Sequence, residues 1–189
     1  MKKRVSLAVA VLSLLISLGC ERSGVISPQE RVVTQPEKRD FGLVGSWRSM
    51  PDPVFDTDRK KDIMTIETAD DGVYSVKSES LDELAVSFRA VSLDDDSGYA
   101  IIDIEAQLKD ELTIRYLALA KRKEDNLYVW WIESKNLAKL MHGDGHSAVI
   151  EHRLFGTVVY AEPDQLLACV RNHSRELVGK PTVLRSNAK

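Results

Sequence analysis

The chain has 189 residues, of which 43% are hydrophobic, and its 26 lysines and arginines stand against 29 aspartates and glutamates for a formal charge of −3. No concentrated basic face or basic stripe with interleaved aromatics occurs, which argues against a nucleic-acid partner and for a mixed, soluble surface.

Met1 to Arg4 form a basic head, and Val5 to Leu18 follow with nothing more polar than serine. This is the order of a secretory signal. The run is shorter than the roughly 20 apolar residues of a spanning helix, so residues 1–19 read as a signal peptide and not as a transmembrane span. Ser17-Leu18-Gly19-Cys20 then resembles the bacterial lipobox, in which a small residue precedes a cysteine that is acylated and becomes the new first residue. Gly19 and Cys20 match, whereas Ser17 stands where that family usually has leucine and Leu18 where it has a small residue. The resemblance implies lipidation of Cys20 (palmitate among its acyl chains) and membrane attachment in the bacterial cell envelope. With Glu21 in place of a retention aspartate, it implies the outer membrane, facing the periplasm. The alternative is an ordinary signal cut near Gly19, leaving Cys20 as a free thiol. The other cysteine, Cys169, falls on an apolar helix face, where a lone thiol is shielded. Loss of Lys2, Lys3 and Arg4 with the signal leaves 23 basic against 29 acidic residues, a balance of −6.

Residues 20–40 are polar after the cysteine, with Gly24, Pro28 and Pro36 and no apolar period. They predict a flexible tether with a root-mean-square reach of roughly 25 Å, followed by a single domain over 41–189. Within it, Met64, Ile66 and Thr68 alternate before the turn 69–72 and the segment 73–77. Leu84, Val86, Phe88 and Ala90 share one face; 94–98 turns the chain; Ile102, Ile104 and Ala106 alternate with Asp103 and Glu105. Period two between Asp/Gly-rich turns predicts an antiparallel meander. The segments 112–120 and 127–132 are apolar on both faces, so one side is expected to meet a barrel or sandwich interior and the other a helix, a partner or a ligand. A short helix near 135–142 has Ser134 as its expected cap, Leu137, Leu140 and Met141 inward, and Gly143 as its stop. A strand or hairpin is expected over 152–161. A second helix near 163–178 begins at Pro163 and Asp164, carries Leu166, Cys169, Val170, His173 and Leu177 on one stripe, and ends at Gly179 and Pro181.

Gly45-Ser46-Trp47 resembles the Gly-x-Trp opening strand of lipocalin-like and other calycin domains, whose tryptophan closes the barrel floor. The Thr-Asp-Tyr turn of true lipocalins has no counterpart here. The order of elements through 127–143 and 158–178 is also similar to a group of bacterial lipoproteins with no agreed activity. These resemblances imply a mainly β fold with minor α (α+β), an antiparallel meander forming a calycin or lipocalin-like barrel or half-barrel, and no mechanism.

His142, Asp144 and His146 are the one metal-like cluster, set among two glycines at a helix end. They read as a helix-stop loop and only weakly as zinc ligands, and neither a metal nor a cofactor is expected. Asp94, Asp96 and Glu105 superficially match a calcium loop, but the required glycine position holds Tyr99, so a hairpin turn is expected. Cys169 and His173, one turn apart, invite a thiolate–imidazole pair, yet their apolar stripe favours core packing. Trp47 reads as core. Tyr128, Trp130 and Trp131 are the candidate ligand-lining residues, with the two tryptophans pointing oppositely. No convergent catalytic set occurs, so an enzyme is not expected. Two functions stay open: a membrane-anchored, non-catalytic binding domain for a small apolar ligand or lipid, and a structural lipoprotein with a filled core that binds an envelope protein.

Overall fold

A computed structural model of the chain describes residues 25–26, 31–49, 63–78, 81, 84–94, 96–108, 112–153 and 156–187. The expected signal, Cys20, and residues 21–24 and 27–30 of the expected tether lie outside them.

After the two-residue strand β1 (Val25–Ile26) comes the meander: β2 (Gly45–Ser49), β3 (Ile63–Thr68), β4 (Val73–Ser78), β5 (Leu84–Ser92), β6 (Ala100–Leu108), β7 (Leu112–Lys123) and β8 (Asn126–Trp131). Each is antiparallel to the next. The chain then forms α1 (Ser134–Gly143), β9 (Val149–Arg153), β10 (Gly156–Tyr160), α2 (Pro163–Leu177) and β11 (Thr182–Ser186). β11 pairs antiparallel with β8 on one side and β2 on the other, and this completes a closed eight-stranded antiparallel barrel. The fold is mainly β with two helices and is compatible with a lipocalin-like barrel.

No alternation in the sequence predicts the strand at 182–186. Val183 and Leu184 are adjacent apolar residues without alternation, and the segment becomes a strand through partners more than 50 and more than 130 residues away. Closure matters because it removes exposed edges from the barrel.

Alternation dictates two separate cores. Inward positions bring together Trp47, Ile66, Tyr74, Val86, Phe88, Ala90, Ile102, Ile104, Ala118, Leu127, Val129 and Leu184. The outward positions Val91, Ile101, Leu117 and Leu119 pack with Leu137, Ala138 and Met141 of α1 and with Leu166, Cys169, Val170 and Leu177 of α2. This explains why β7 and β8 are apolar on both faces: they are walls between the barrel interior and the helical layer, with Leu117, Leu119 and Trp130 on the helical side and Ala118, Ala120, Leu127 and Val129 on the inner side. A second ribbon extends from β7, where β1 pairs with it at Ile26–Arg115. β10 lies parallel to β1, and β9 pairs antiparallel with β10 at the end of the sheet.

Three local expectations shift. Ser134 is the first residue of α1 and buried, while Glu133 holds the cap position with no side-chain cap hydrogen bond; its backbone N–H donates to Leu177 O at 3.0 Å, tying α1 to α2. The left-handed stop is Gly145 (φ 77°), two residues beyond Gly143, and His146 N–H closes the turn onto Met141 O at 2.9 Å. Finally, residues 31–40 lie against the barrel wall. Val32 and Val33 are 3% and 1% exposed, and Glu37 N–H donates to Ala90 O at 3.1 Å while its carboxylate accepts from Ser92 Oγ at 2.6 Å. The tether reading rested on polar composition; side-chain and backbone hydrogen bonds to β5 and β6 dock this polar run without an apolar period.

Candidate functional site

The barrel interior is built in layers. At the end that holds the turns 69–72, 93–99 and 124–125, inward alanines (Ala90, Ala100, Ala118, Ala120) leave room for large side chains from the opposite wall. Trp47 fills it at 1% exposure, its indole N–H donating to Leu43 O at 2.8 Å. The Arg122 guanidinium sits 5.5 Å from the Trp47 ring and donates to Gly42 O at 3.3 Å. Gly42 is left-handed (φ 67°), and a Cβ there would stand 3.0 Å from Arg122 Cδ, so glycine permits this lid over the floor. Above it Tyr74 and Phe88 stack at 4.7 Å; burial, then the nearby Asp40 charge, pushes the Tyr74 phenol above its ordinary value. Tyr116 and Trp131 meet edge to face at 6.2 Å, and Trp131 Nε1 donates to Thr182 Oγ1 at 3.3 Å.

Exposure rises toward the opposite end. Leu43, Trp47, Ile66, Tyr74 and Phe88 are each 5% exposed or less. Met64, Val76, Leu84, Tyr116 and Trp131, which pack against the same interior cluster, are half-buried. The first three lie on strand segments that run to the far rim, where Met64 pairs with Ser78 and Leu84 with Leu108. The interior is thus filled at one end and presents a half-exposed apolar and aromatic ring near the other.

The three aromatic candidates separate. Trp131 faces the interior. Tyr128 and Trp130 project from the outer face of β8, where Trp130 lies 5.8 Å from Tyr128 and 5.4 Å from Tyr99, and Lys121 Nζ stands 4.4 Å over the Tyr99 ring. Trp47 is core, as its position in the first barrel strand led one to expect. The ring residues Met64, Val76, Leu84 and Tyr116 were not singled out from sequence; Met64 and Leu84 hold the last inward positions of β3 and β5, whereas Val76 and Tyr116 lie further in on β4 and β7.

His142, Asp144 and His146 do not converge on a metal. His142 is exposed in the last turn of α1, His146 is half-buried, and Asp144 is engaged by α2. Both Asp144 carboxylate oxygens lie 3.0 Å from His173 Nε2, and Glu176 Oε1 lies 3.3 Å from His173 Nδ1. Among the described residues no group of three or more His, Cys, Asp or Glu side chains is placed to hold a metal ion. His173 leaves the apolar stripe at a non-helical turn of α2 (φ −122°, ψ 24°) and clamps the end of α1. With both ring nitrogens directed to carboxylates, no thiolate–imidazole pair forms. Cys169 is fully buried, and burial first, then Asp144, pushes its thiol up to about 11; it is inert at neutral pH. Asp94 accepts the Asp96 and Ser97 backbone N–H groups in the turn between β5 and β6, as a hairpin requires.

Hydrogen bonds donated to the Glu176 and Asp144 carboxylates hold the His173 imidazole above its ordinary 6.5. A raised folded-state value means that the clamp's stabilisation is fully present below pH 6.5 and is lost as pH rises through the raised value. An NMR titration is expected to place the His173 midpoint above 6.5 in the wild type and to return it toward 6.5 in Asp144→Asn combined with Glu176→Gln.

Against known protein families, curated proteins and solved structures, the chain shows no match. The fold alone defines a class, a closed antiparallel barrel with a helical layer on its wall.

Proposed function

We propose that this chain is a non-catalytic, lipid-anchored binding protein of the bacterial envelope, attached through acylated Cys20, that takes a small apolar ligand or lipid at the half-exposed end of its barrel. The exposure gradient carries this reading: apolar and aromatic side chains that a folded chain would otherwise bury remain half-open around Met64, Val76, Leu84, Tyr116 and Trp131. Each 100 Å² of apolar ligand surface buried there is worth about 2.5 kcal/mol. The lipobox resemblance at Gly19-Cys20 supports the anchor. A second reading, a lipoprotein that binds an envelope protein through its surface, draws on the filled lower half, where Trp47, Tyr74 and Phe88 are packed.

Binding of the neutral fluorescent probe N-phenyl-1-naphthylamine distinguishes the two. The wild type is expected to bind it, and Met64→Lys to bind it at least about tenfold more weakly, a loss of about 1.4 kcal/mol. The lysine stem retains packing while its charge reaches the rim, so the urea midpoint should hold. A wild type that binds no probe, or a variant that binds it equally well, would sink the ligand reading.

A further inference from the structure

The helical layer packs on outward positions of β5, β6 and β7 and reaches β8 at Trp130. Beyond that margin, register places one row of outward residues across four adjacent strands. Lys123 on β7 is opposite Asn126 on β8, Asn126 is opposite Arg185 on β11, and Arg185 is opposite Arg48 on β2. Three strand spacings, about 14 Å, separate Lys123 from Arg48. These cations come from three separate stretches of the chain, and closure of the barrel by β11 brings them together. The row opposes folding: like charges directly opposite on neighbouring strands repel. Among the described residues no carboxylate is paired with Lys123, Arg185 or Arg48, and Glu124 and Asp125 occupy the turn beyond the row. Lys123 and Arg185 are exposed. Half-buried Arg48 donates to Asn187 Oδ1 at 2.9 Å, and its Nε is buried without a partner. Along β8 from Asn126, about 7 and 14 Å further on, stand Tyr128 and Trp130. They are half-buried and stacked at 5.8 Å, with Tyr99 at 5.4 Å from Trp130. Lys121 is engaged within this aromatic group, by Ser97 O at 2.7 Å and by the Tyr99 ring.

We infer that this outer wall binds an anionic saccharide, whose rings lie on Tyr128 and Trp130 and whose acidic groups pair with Arg185, Arg48 and Lys123. A chain of net charge −3 that gathers three unpaired cations in one row presents a local field of the opposite sign. Guanidinium forks match the oxygens of a carboxylate or phosphate. Aromatic rings beside the cations select a ligand with flat apolar C–H faces, which a saccharide ring offers between its hydroxyls and a polyacidic peptide lacks. β8, β11 and β2 are each paired on both sides, so no peptide adds here as a strand. Duplex DNA, with a charge about every 1.7 Å of its axis, calls for a denser basic field than this row. A local arrangement that works against the fold is expected where function requires it. The row lies on the opposite side of the wall from the barrel interior, so it is independent of the ligand proposed there and of Cys20.

Isothermal titration of the full chain with a hexamer of galacturonic acid, one carboxylate per ring, tests this. Maltohexaose, without the charge, and hexaglutamate, without the rings, are the comparisons. The expected result is binding of the galacturonate hexamer that weakens with salt, and binding of the other two that is at least about tenfold weaker. Arg185→Thr and, separately, Tyr128→Thr should each weaken hexamer binding at least about tenfold. The urea midpoint of Arg185→Thr should hold or rise, because the substitution removes a like-charge pair. A wild type that does not bind the hexamer, or binds hexaglutamate equally well, would overturn the proposal. So would two variants that bind as the wild type does, or a lowered midpoint in Arg185→Thr, which would make the row a structural feature. Tighter binding to phosphatidylglycerol vesicles or to oligothymidylate than to the hexamer would overturn it as well, by assigning the face to a lipid surface or to nucleic acid.

Discussion

Replacing Trp47 with alanine is expected to cost about 3–5 kcal/mol, a large part of the 5–15 kcal/mol that typically holds such a domain. The indole is 1% exposed and supplies the bulk that the alanines of the opposite wall leave unfilled. No neighbour can collapse into the void, because barrel walls are fixed by their ladders. Trp47→Phe keeps most of the volume but leaves Leu43 O without its 2.8 Å partner, a smaller loss of about 1–3 kcal/mol. Urea denaturation followed by far-ultraviolet circular dichroism reads both. Alanine and phenylalanine variants within 1 kcal/mol of the wild type, on the scale of an exposed substitution, would contradict the role of Trp47 as the barrel floor.

Asp103→Leu is expected to cost a comparable amount, about 3–5 kcal/mol, the range found when one member of a buried charge cluster is removed. Asp103 is 1% exposed on the outer wall of β6, and its Oδ2 accepts Val33 N–H at 3.0 Å. Beside it, Glu105 accepts from Arg31 at 3.0 Å and from Arg115 at 2.8 Å, while Arg89 donates to Thr34 O at 2.8 Å. Residues 31–34 are therefore fastened at both backbone N–H and C=O. Leucine would leave Val33 N–H unsatisfied and take away a carboxylate that compensates Arg31 and Arg115. Trypsin cleavage at Arg31, Lys38 and Arg39 should accelerate in this variant. Asp103→Asn keeps an acceptor and should protect the segment. Protection in both variants would contradict the latch.

The pH signature of the same cluster is two-sided. Burial pushes the Asp103 carboxyl above its ordinary value, more than Val33 N–H and the two arginines lower it. Its contribution to stability is present below the ordinary carboxylate range and is lost as pH rises through the raised value. Glu105 is pushed up by burial, but Arg115 and Arg31 together bring it below its ordinary value, so its contribution is present above that value and lost as pH falls through the lowered one. Asp103→Asn removes the first of these slopes and leaves the second.

How much of this was legible in the sequence depended on the range of the interaction involved. Strands β3 to β6 were readable because alternation between Asp/Gly turns is local, β7 and β8 because two apolar runs flank a polar turn, and the two helices because Pro163, Asp164 and the apolar stripes are local as well. The doubled apolar faces of β7 and β8 correctly announced two environments, which turned out to be the barrel interior and the helical layer. What escaped was decided by distant partners. β11 becomes a strand because β2 and β8 offer edges to it. Residues 31–40 dock because Asp103, Arg89 and Ser92 meet a segment whose composition looked like a linker. His173 sat on the right period for the core but turned out toward Asp144, a carboxylate just past the end of α1. In the candidate site, Trp131 was legible as one of an opposed pair, whereas Met64, Val76 and Leu84 looked like ordinary strand residues until closure placed them near one rim.

The native mass spectrum of the purified full chain distinguishes the two kinds of lipid proposed for this protein. Acyl groups on Cys20 would be covalent and persist on denaturation, whereas a ligand held near Met64, Leu84 and Trp131 would not. An additional apolar mass is expected that is present under native conditions, is lost on denaturation, and is diminished in Met64→Lys. A native mass equal to the denatured mass, together with no uptake of added fatty acid or phospholipid, would contradict that expectation.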